Sequence, residues 1–152
     1  MDKEVKRDES LLDNLLFGRV QPHIYAFKTN TIPNYLKIGD TYRPVNIRLD
    51  EWREVYPDLK KEFADSALIN HEVFLRDYSV HQFLENDLHK ERINPNDFQD
   101  VQYVSNEFFK ETAVNDVELA IDDIKNSFEE NLMKYKYYSI RDSLLLPDVY
   151  ES

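Results

Sequence analysis

Two groups of side chains in this sequence have types and spacing that suit chemistry. The first comes from two short runs of alternating apolar residues, where the alternation puts Tyr25, Tyr35 and Lys37 on one face of a hairpin. A tyrosine with an ordinary pKa of about 10 is a poor base at neutral pH unless a cation or a metal-bound water assists it. Lys37 is such a cation and lies on the same face.

The second group is a row of possible metal ligands on a predicted helix. His81, Glu85 and His89 stand at positions i, i+4 and i+8, so they share one flank of the helix. Imidazole and carboxylate are zinc ligands, but one helical turn advances about 5.4 Å, and three such side chains diverge too far to share one ion easily. A zinc site is therefore disfavoured. On general grounds, Glu85 is a solvated residue on the surface of this helix.

A β-hairpin followed by a helix must position the first group. Residues 24–28 and 35–40 flank a polar connection that contains proline, which is typical of a hairpin with a longer loop. Pro44 suits the first turn of the following helix, which places Arg48 about 60° from its apolar stripe, at the edge of the core. Gly39 ends the second strand and indicates a close backbone approach or a positive φ. The predicted core face of the hairpin carries Ile24, Ala26, Leu36 and Ile38.

The order of these residues resembles the GIY-YIG nuclease superfamily. A strand with IY at 24–25, a strand with KIGDT at 37–41, then RP and a helix with arginine over 43–48 is similar to its phage and bacterial branch, in which KIG replaces YIG. Residues 84–89, LENDLH, are similar to that branch's LExxLH helix. Residues 106–109, NEFF, are similar to its EWF segment with Phe in place of Trp.

The resemblance implies metal-dependent hydrolysis of a phosphodiester bond in DNA. Tyr25 would take the proton from an attacking water or hand it on, helped by Lys37, which stands where many relatives have a second tyrosine. Arg48 would bind the scissile phosphate through a forked donor geometry that lysine lacks. Glu85 would hold one Mg²⁺ or Mn²⁺, and His89 would orient the leaving group or the water.

Four more residues belong to the substrate-binding part of the implied site. Tyr35 would partly substitute for the second tyrosine, Gly39 and Thr41 lie in the KIGDT motif, and Arg43 would steer the phosphate backbone.

Each of the main assignments has a structural alternative. Without the family pattern, an ordinary strand tyrosine is the favoured interpretation of Tyr25, and Arg48 at a helix edge is usually a surface ion pair, for instance with Glu51 or Glu54.

The chain predicts an α+β fold with a small three-stranded, mainly antiparallel sheet, in the order β-hairpin, helix, strand and helix. Residues 63–69 are the best candidate for the third strand, and 101–104 for an added short strand. Asp77 or Ser79 would cap the next helix, which we expect to run to about residue 92. Asn115 with Glu118 is typical of a capping pair for a long extra C-terminal helix.

These elements suggest three parts of one domain. Residues 1–20 would form an N-terminal helical extension, with Ser10 as its cap and Gly18 at its end. Residues 21–112 would form the nuclease-like domain, and residues 113–152 a C-terminal helix and tail packed on it.

Composition limits the classes of protein this chain can belong to. Its 152 residues include no cysteine, which excludes disulfides, thiolate metal sites and cysteine nucleophiles. No run of 18 apolar residues is present and the N-terminus is highly charged, so we expect a soluble, cytoplasmic protein with no membrane partner.

Charge is the main objection to a DNA partner, because the formal net charge is −11. Residues 23–61 nevertheless carry seven basic and five acidic side chains, against five and thirteen in residues 93–152. A DNA-binding face is therefore expected on the hairpin and first helix, with modest affinity unless a homodimer or a larger fused DNA-processing or restriction enzyme contributes. The alternatives are a catalytically inactive DNA-binding module and a protein-interaction domain that uses the acidic C-terminal helix.

Overall fold

The computed structural model describes residues 21–143 and shows a mixed α+β fold, as expected. The predicted N-terminal helix over 10–17 and the tail from 144 lie outside the described residues. The elements in chain order are β1 (His23–Lys28), β2 (Tyr35–Thr41), α1 (Val45–Arg53), β3 (Lys60–Ser66), β4 (Val73–Phe74), α2 (Asp77–Asn86), a 3₁₀ helix (Pro95–Phe98), β5 (Phe108–Lys110), α3 (Val114–Glu129), β6 (Tyr138–Ser139) and α4 (Ile140–Ser143).

The main sheet has four antiparallel strands in the order β3-β1-β2-β5. The strand beyond the predicted three is β5, which pairs with β2 from Tyr35 opposite Lys110 to Lys37 opposite Phe108. Strands β4 and β6 form a separate two-stranded sheet.

The prediction of a strand at 101–104 is wrong, because a tyrosine side chain bonds this segment in place of a neighbouring strand. The Tyr56 hydroxyl donates to the carbonyl of Tyr103 at 2.9 Å and accepts from the Ser105 amide at 3.2 Å. Strand β3 also differs from its prediction, since it begins at Lys60 and ends at Ser66. It is an edge strand with mostly exposed side chains, so apolar alternation marks it poorly.

Both faces of the main sheet are covered. Ile24, Ala26, Leu36 and Ile38 face a core shared with α2 and α3, as expected. The opposite, tyrosine-bearing face is also buried, under α1 and the segment before β5. The members of this second core are Tyr25, Phe27, Ile32, Tyr35, Leu49, Trp52, Tyr56, Leu59, Ile93 and Phe108.

Helix α2 is shorter than predicted, because it ends at Asn86 and not near residue 92. The Leu88 amide donates to the carbonyl of Phe83 and the Lys90 amide to that of Leu84, while His89 takes a left-handed φ of 55°. The helix begins at Asp77 itself, and its N-cap is Arg76, with no side-chain cap.

The long helix α3 is confirmed, with 16 residues. It begins before the predicted Asn115, because the Asp116 carboxylate accepts from the Ala113 amide at 2.8 Å and so holds its first turn. Its apolar face packs into the same core as α2. Among residues 21–143, no helix is long and apolar enough to cross a membrane.

Candidate functional site

The sheet brings Tyr25 and Lys37 together, as the alternation predicts. Lys37 Nζ donates to the Tyr25 hydroxyl at 3.1 Å across the β1–β2 pair. Trp52 of α1 donates its indole N–H to the same oxygen at 2.7 Å. The phenol oxygen therefore accepts from two nitrogen donors, which is an arrangement that stabilises negative charge on it.

Gly39 is required by this contact. It lies directly opposite Tyr25, and a Cβ there would stand 2.6 Å from both the Tyr25 oxygen and Lys37 Nζ. No glycine among the described residues has a positive φ. The close approach, and not an unusual backbone conformation, explains the glycine.

Lys37 is fully buried and keeps its charge. Its ammonium lies 4.1 Å from the centroid of the Trp52 ring and 2.9 Å from Glu107 Oε1. Burial alone would lower the pKa of Lys37, but Tyr25 and Glu107 outweigh it and the net shift is upward. Burial raises the pKa of Tyr25 by more than Lys37 and Arg48 lower it, so Tyr25 is a neutral phenol at pH 7.

Glu107 connects Lys37 to two further polar residues at the open edge of β2. Strand β5 begins at Phe108, and the Glu107 carbonyl still accepts from the Ile38 amide at 3.0 Å. Its carboxylate lies within hydrogen-bonding reach of Asp77, the first residue of α2. One ligand atom from each of Asp77, His81 and Glu107 lies within 4.8 Å of the others, and all three residues are buried or nearly so.

His81 is held as a neutral imidazole. Its Nε2–H donates to the carbonyl of Ile38 at 2.8 Å, which leaves the lone pair on Nδ1. Burial lowers the pKa of His81 to about 4. Burial would also raise the pKa of Glu107, but Lys37 reverses this effect and the pKa is lowered, so Glu107 is ionised at neutral pH.

A buried ion pair fixes the position of Asp77. Arg76 Nε donates to Asp40 Oδ2 at 2.8 Å, and Nη2 donates to Oδ1 at 3.2 Å. Asp40 Oδ2 also accepts from the Asp77 amide at 2.9 Å. The end of β2 therefore holds the first turn of α2, from which Asp77 and His81 project one turn apart.

A cleft of about 250 Å³ opens beside this cluster. Its lining residues are Tyr78, His81, Gln82, Glu85, Asn86, Arg92, Asn106 and Glu107. The Glu107 side chain is 12% exposed, whereas Tyr25 and Lys37 are fully buried. Solvent and ligands therefore reach the cluster from the side of Glu107.

The two arginines of the first helix region share one carboxylate. Arg43 donates through both terminal nitrogens to Glu51, and Arg48 Nη1 donates to Glu51 Oε1 at 2.9 Å. The Arg48 guanidinium also lies 5.0 Å from the Trp52 ring centroid, and its charge acts on the pKa of Tyr25. Arg48 is thus at the edge of the core beside Tyr25, and the predicted ion pair with Glu51 is present.

The structure does not form the row of three ligands on one helix. His89 is exposed and lies beyond the end of α2, so the i, i+4, i+8 spacing has no common helical face. Glu85 lines the cleft, but Arg92 donates to both of its oxygens, at 3.1 and 3.0 Å. These bonds lower the pKa of Glu85.

Two predicted substrate-binding residues are largely buried. Tyr35 packs edge-to-face on Phe98, with ring centroids 5.6 Å apart, and is 8% exposed. Thr41 is 1% exposed and its hydroxyl accepts from the Arg43 amide at 3.1 Å. Thr41 therefore contributes by fixing the turn before α1.

Sequence reasoning missed Asp77 and Glu107 as functional candidates. Asp77 and His81 have the same acid-to-histidine spacing of four residues as Glu85 and His89, so this pair was visible in the sequence. The role of Glu107 was not, because it depends on the pairing of β5 with β2. The two rings that follow Glu107, those of Phe108 and Phe109, pack in opposite cores.

Searches of protein-family models, curated proteins and solved structures with this chain returned no match.

Proposed function

We propose that this chain is a metal-dependent DNA endonuclease that hydrolyses phosphodiester bonds, with its metal ion at Asp77, His81 and Glu107. The observation that supports this most is the continuous polar row from Tyr25 through Lys37 to Glu107, Asp77 and His81, which ends at a cleft. A buried row that combines phenol, ammonium, carboxylate and neutral imidazole is costly to fold, and such rows concentrate at functional sites.

The donor set fits a divalent cation. Carboxylates suit Mg²⁺ and Mn²⁺, and a neutral imidazole shifts the preference from Mg²⁺ towards Mn²⁺. Two neighbouring buried carboxyls repel each other once both are ionised, and a cation would relieve this repulsion. Glu85 fits less well, because Arg92 already neutralises its carboxylate.

Each residue of the row has a role in the proposed reaction. A bound ion would polarise a phosphoryl oxygen and make its water more acidic. Lys37 keeps Glu107 ionised, so that it can bind the ion or accept a proton. The Tyr25 oxygen accepts a hydrogen bond from the Lys37 ammonium and so holds it in place. Arg48 would bind a phosphate beside Tyr25.

The positive charge that could bind DNA lies on one side of the molecule. The arginines at 43 and 48 flank the tyrosine face, while the C-terminal part of the chain is acidic. Few phosphates can be neutralised, so a second copy or a fused domain would be needed for tight or sequence-specific binding.

A second candidate is a DNA-binding module of the same fold that does not cleave. The observation in its favour is that Tyr25 and Lys37 have no exposed surface, with Trp52 covering them on the side of Arg48. In this case the row would be a structural element and the arginines alone would contact DNA.

Cleavage of supercoiled plasmid separates the two candidates. We expect nicked or linear DNA with Mn²⁺ or Mg²⁺, no product with a chelator, and loss of product in Glu107→Gln and Arg48→Ala. The matched control is Glu62→Gln, an exposed acid of β3, which should cleave like the wild type. Well-folded wild type that binds but does not cleave plasmid, branched or single-stranded DNA would favour the second candidate.

A further inference from the structure

Glu51 lies where the two arginine side chains converge. Its Oε1 accepts from Arg43 Nη2 at 2.8 Å and from Arg48 Nη1 at 2.9 Å, and its Oε2 accepts from Arg43 Nη1 at 2.9 Å. The three side chains are 42%, 19% and 39% exposed for Arg43, Arg48 and Glu51, so the site is open to solvent. Two guanidinium forks that converge on one anion are also a typical arrangement for binding a phosphate.

The arginines have further contacts that do not involve Glu51. The Arg48 guanidinium lies over the Trp52 ring, and the Arg43 backbone is held by the Thr41 hydroxyl. Arg43 directly precedes Pro44, the N-cap of α1, and the first turn of this helix contains no acidic residue, so its positive end adds to the same potential. Both positive charges would therefore remain at the site, with Arg48 still beside Trp52, if the Glu51 carboxylate moved away.

A carboxylate and a DNA phosphodiester present the same features to such a site. Each carries one negative charge shared by two oxygens, and a guanidinium can bind either through two parallel N–H bonds. Hydrogen bonds from Arg43 and Arg48 lower the pKa of Glu51 to about 2, so it is an anion throughout the physiological range. Glu51 is on the surface of α1 and can leave by rotating its side chain.

We propose that Glu51 is an internal competitor of DNA, which occupies the Arg43–Arg48 site in the free protein and yields it to a backbone phosphate. This inference rests on the proposed function only in naming DNA as the source of the phosphate. It concerns binding and does not require that the bound DNA is cleaved. In the free protein, Glu51 would lower the affinity for polyanions and keep both arginines ordered.

Binding of a labelled duplex oligonucleotide, measured by fluorescence anisotropy in a chelator, tests the competition without cleavage. We expect Glu51→Gln to bind about fivefold more tightly than the wild type, the equivalent of releasing one partly exposed ion pair. Glu54→Gln is the matched control, because it removes the same charge from an exposed residue at the end of α1. Its gain should be less than about twofold, since screening weakens more distant charges.

A double-mutant cycle locates the effect. In an Arg43→Gln background the gain from Glu51→Gln should shrink, because one of the two forks that Glu51 blocks is gone. Equal gains in Glu51→Gln and Glu54→Gln, or no gain in Glu51→Gln, would overturn the proposal. Tighter binding by Glu51→Gln in a protein that never cleaves DNA would support it and refute only the endonuclease.

The wild type provides a second measurement that needs no variant. Trp52 is the only tryptophan of the chain, and Arg48 lies against its ring. Saturating DNA should change the Trp52 emission as Arg48 turns from Glu51 to a phosphate. Unchanged emission at saturation would contradict the exchange.

Discussion

At the scale of single residues, Lys37 is the side chain that contacts most of the proposed site. Its ammonium contacts the Tyr25 oxygen, the Glu107 carboxylate and the Trp52 ring, and it has no exposed surface. The proximity of Tyr25 and Lys37 could be predicted from the sequence, because strand alternation alone puts them on one face. Their burial could not, because it depends on which elements cover that face.

Gly39→Ala tests how tightly this group is packed. The new Cβ would stand 2.6 Å from Lys37 Nζ and the Tyr25 oxygen, so one of these groups must move. We expect the free energy of unfolding in a denaturant titration to fall by about 1–3 kcal/mol, the usual cost of overpacking a core. Lys61→Ala on the exposed edge strand is the control, with an expected change within about 0.5 kcal/mol. An unchanged stability of Gly39→Ala would show that the site is looser than described.

His81 gives the metal-free protein a specific pH dependence. Burial lowers its pKa to about 4, below the ordinary value of 6.5, so the unfolded chain binds the proton first. The contribution of neutral His81 to the free energy of unfolding is therefore fully present above pH 6.5 and is lost as the pH falls through about 4. This contribution totals on the order of 3 kcal/mol.

Unfolding measured between pH 7 and 4 in a chelator checks this prediction. His81→Gln should remove most of the slope in this range, while His89→Gln, at an exposed residue, should retain it. Parallel curves for the wild type and His81→Gln would contradict a buried neutral imidazole.

At the scale of elements, the contact between β2 and α2 decides whether the candidate ligands meet. The Asp40–Arg76 pair joins the end of β2 to the start of α2, directly before Asp77. The hairpin and α1 were predictable because their signals are local, namely strand alternation and a proline at a helix start. The start of β3 and the existence of β5 were not, because each depends on bonds between distant segments. The end of α2 was not either, because the local bonds that close it, from Leu88 to Phe83 and from Lys90 to Leu84, are marked by no glycine or proline.

Arg76→Met should therefore affect both stability and metal affinity, although Arg76 is not a proposed ligand. It leaves Asp40 buried without its cation, which typically costs about 3–5 kcal/mol. The measurements are thermal unfolding and Mn²⁺ titration of the folded protein. Asp40→Asn together with Arg76→Met should recover part of the stability, because the isolated buried charge is removed. If the stability of Arg76→Met falls by the expected amount while the folded variant binds Mn²⁺ as tightly as the wild type, the ion pair does not position Asp77.

At the scale of the whole molecule, one sheet separates two cores, and the polar row passes from one to the other. It starts at Tyr25 in the second core and passes the part of β2 that β5 leaves unpaired. It ends at His81, beside the core under α2 and α3. The net charge of −11 sets the background, and the two arginines beside the tyrosine face are paired with Glu51. This combination fits weak DNA binding that depends on displacement of the Glu51 carboxylate.

The position of the ion is the central claim, and Mn²⁺ binding measured by electron paramagnetic resonance tests it most directly. The wild type is compared with Asp77→Asn and with Glu85→Gln, which removes a charge from the rim of the same cleft. We predict one bound Mn²⁺ in the wild type, strongly weakened binding in Asp77→Asn, and binding within about threefold of the wild type in Glu85→Gln. Loss of the ion in Glu85→Gln with retention in Asp77→Asn would contradict the account and place the metal at Glu85.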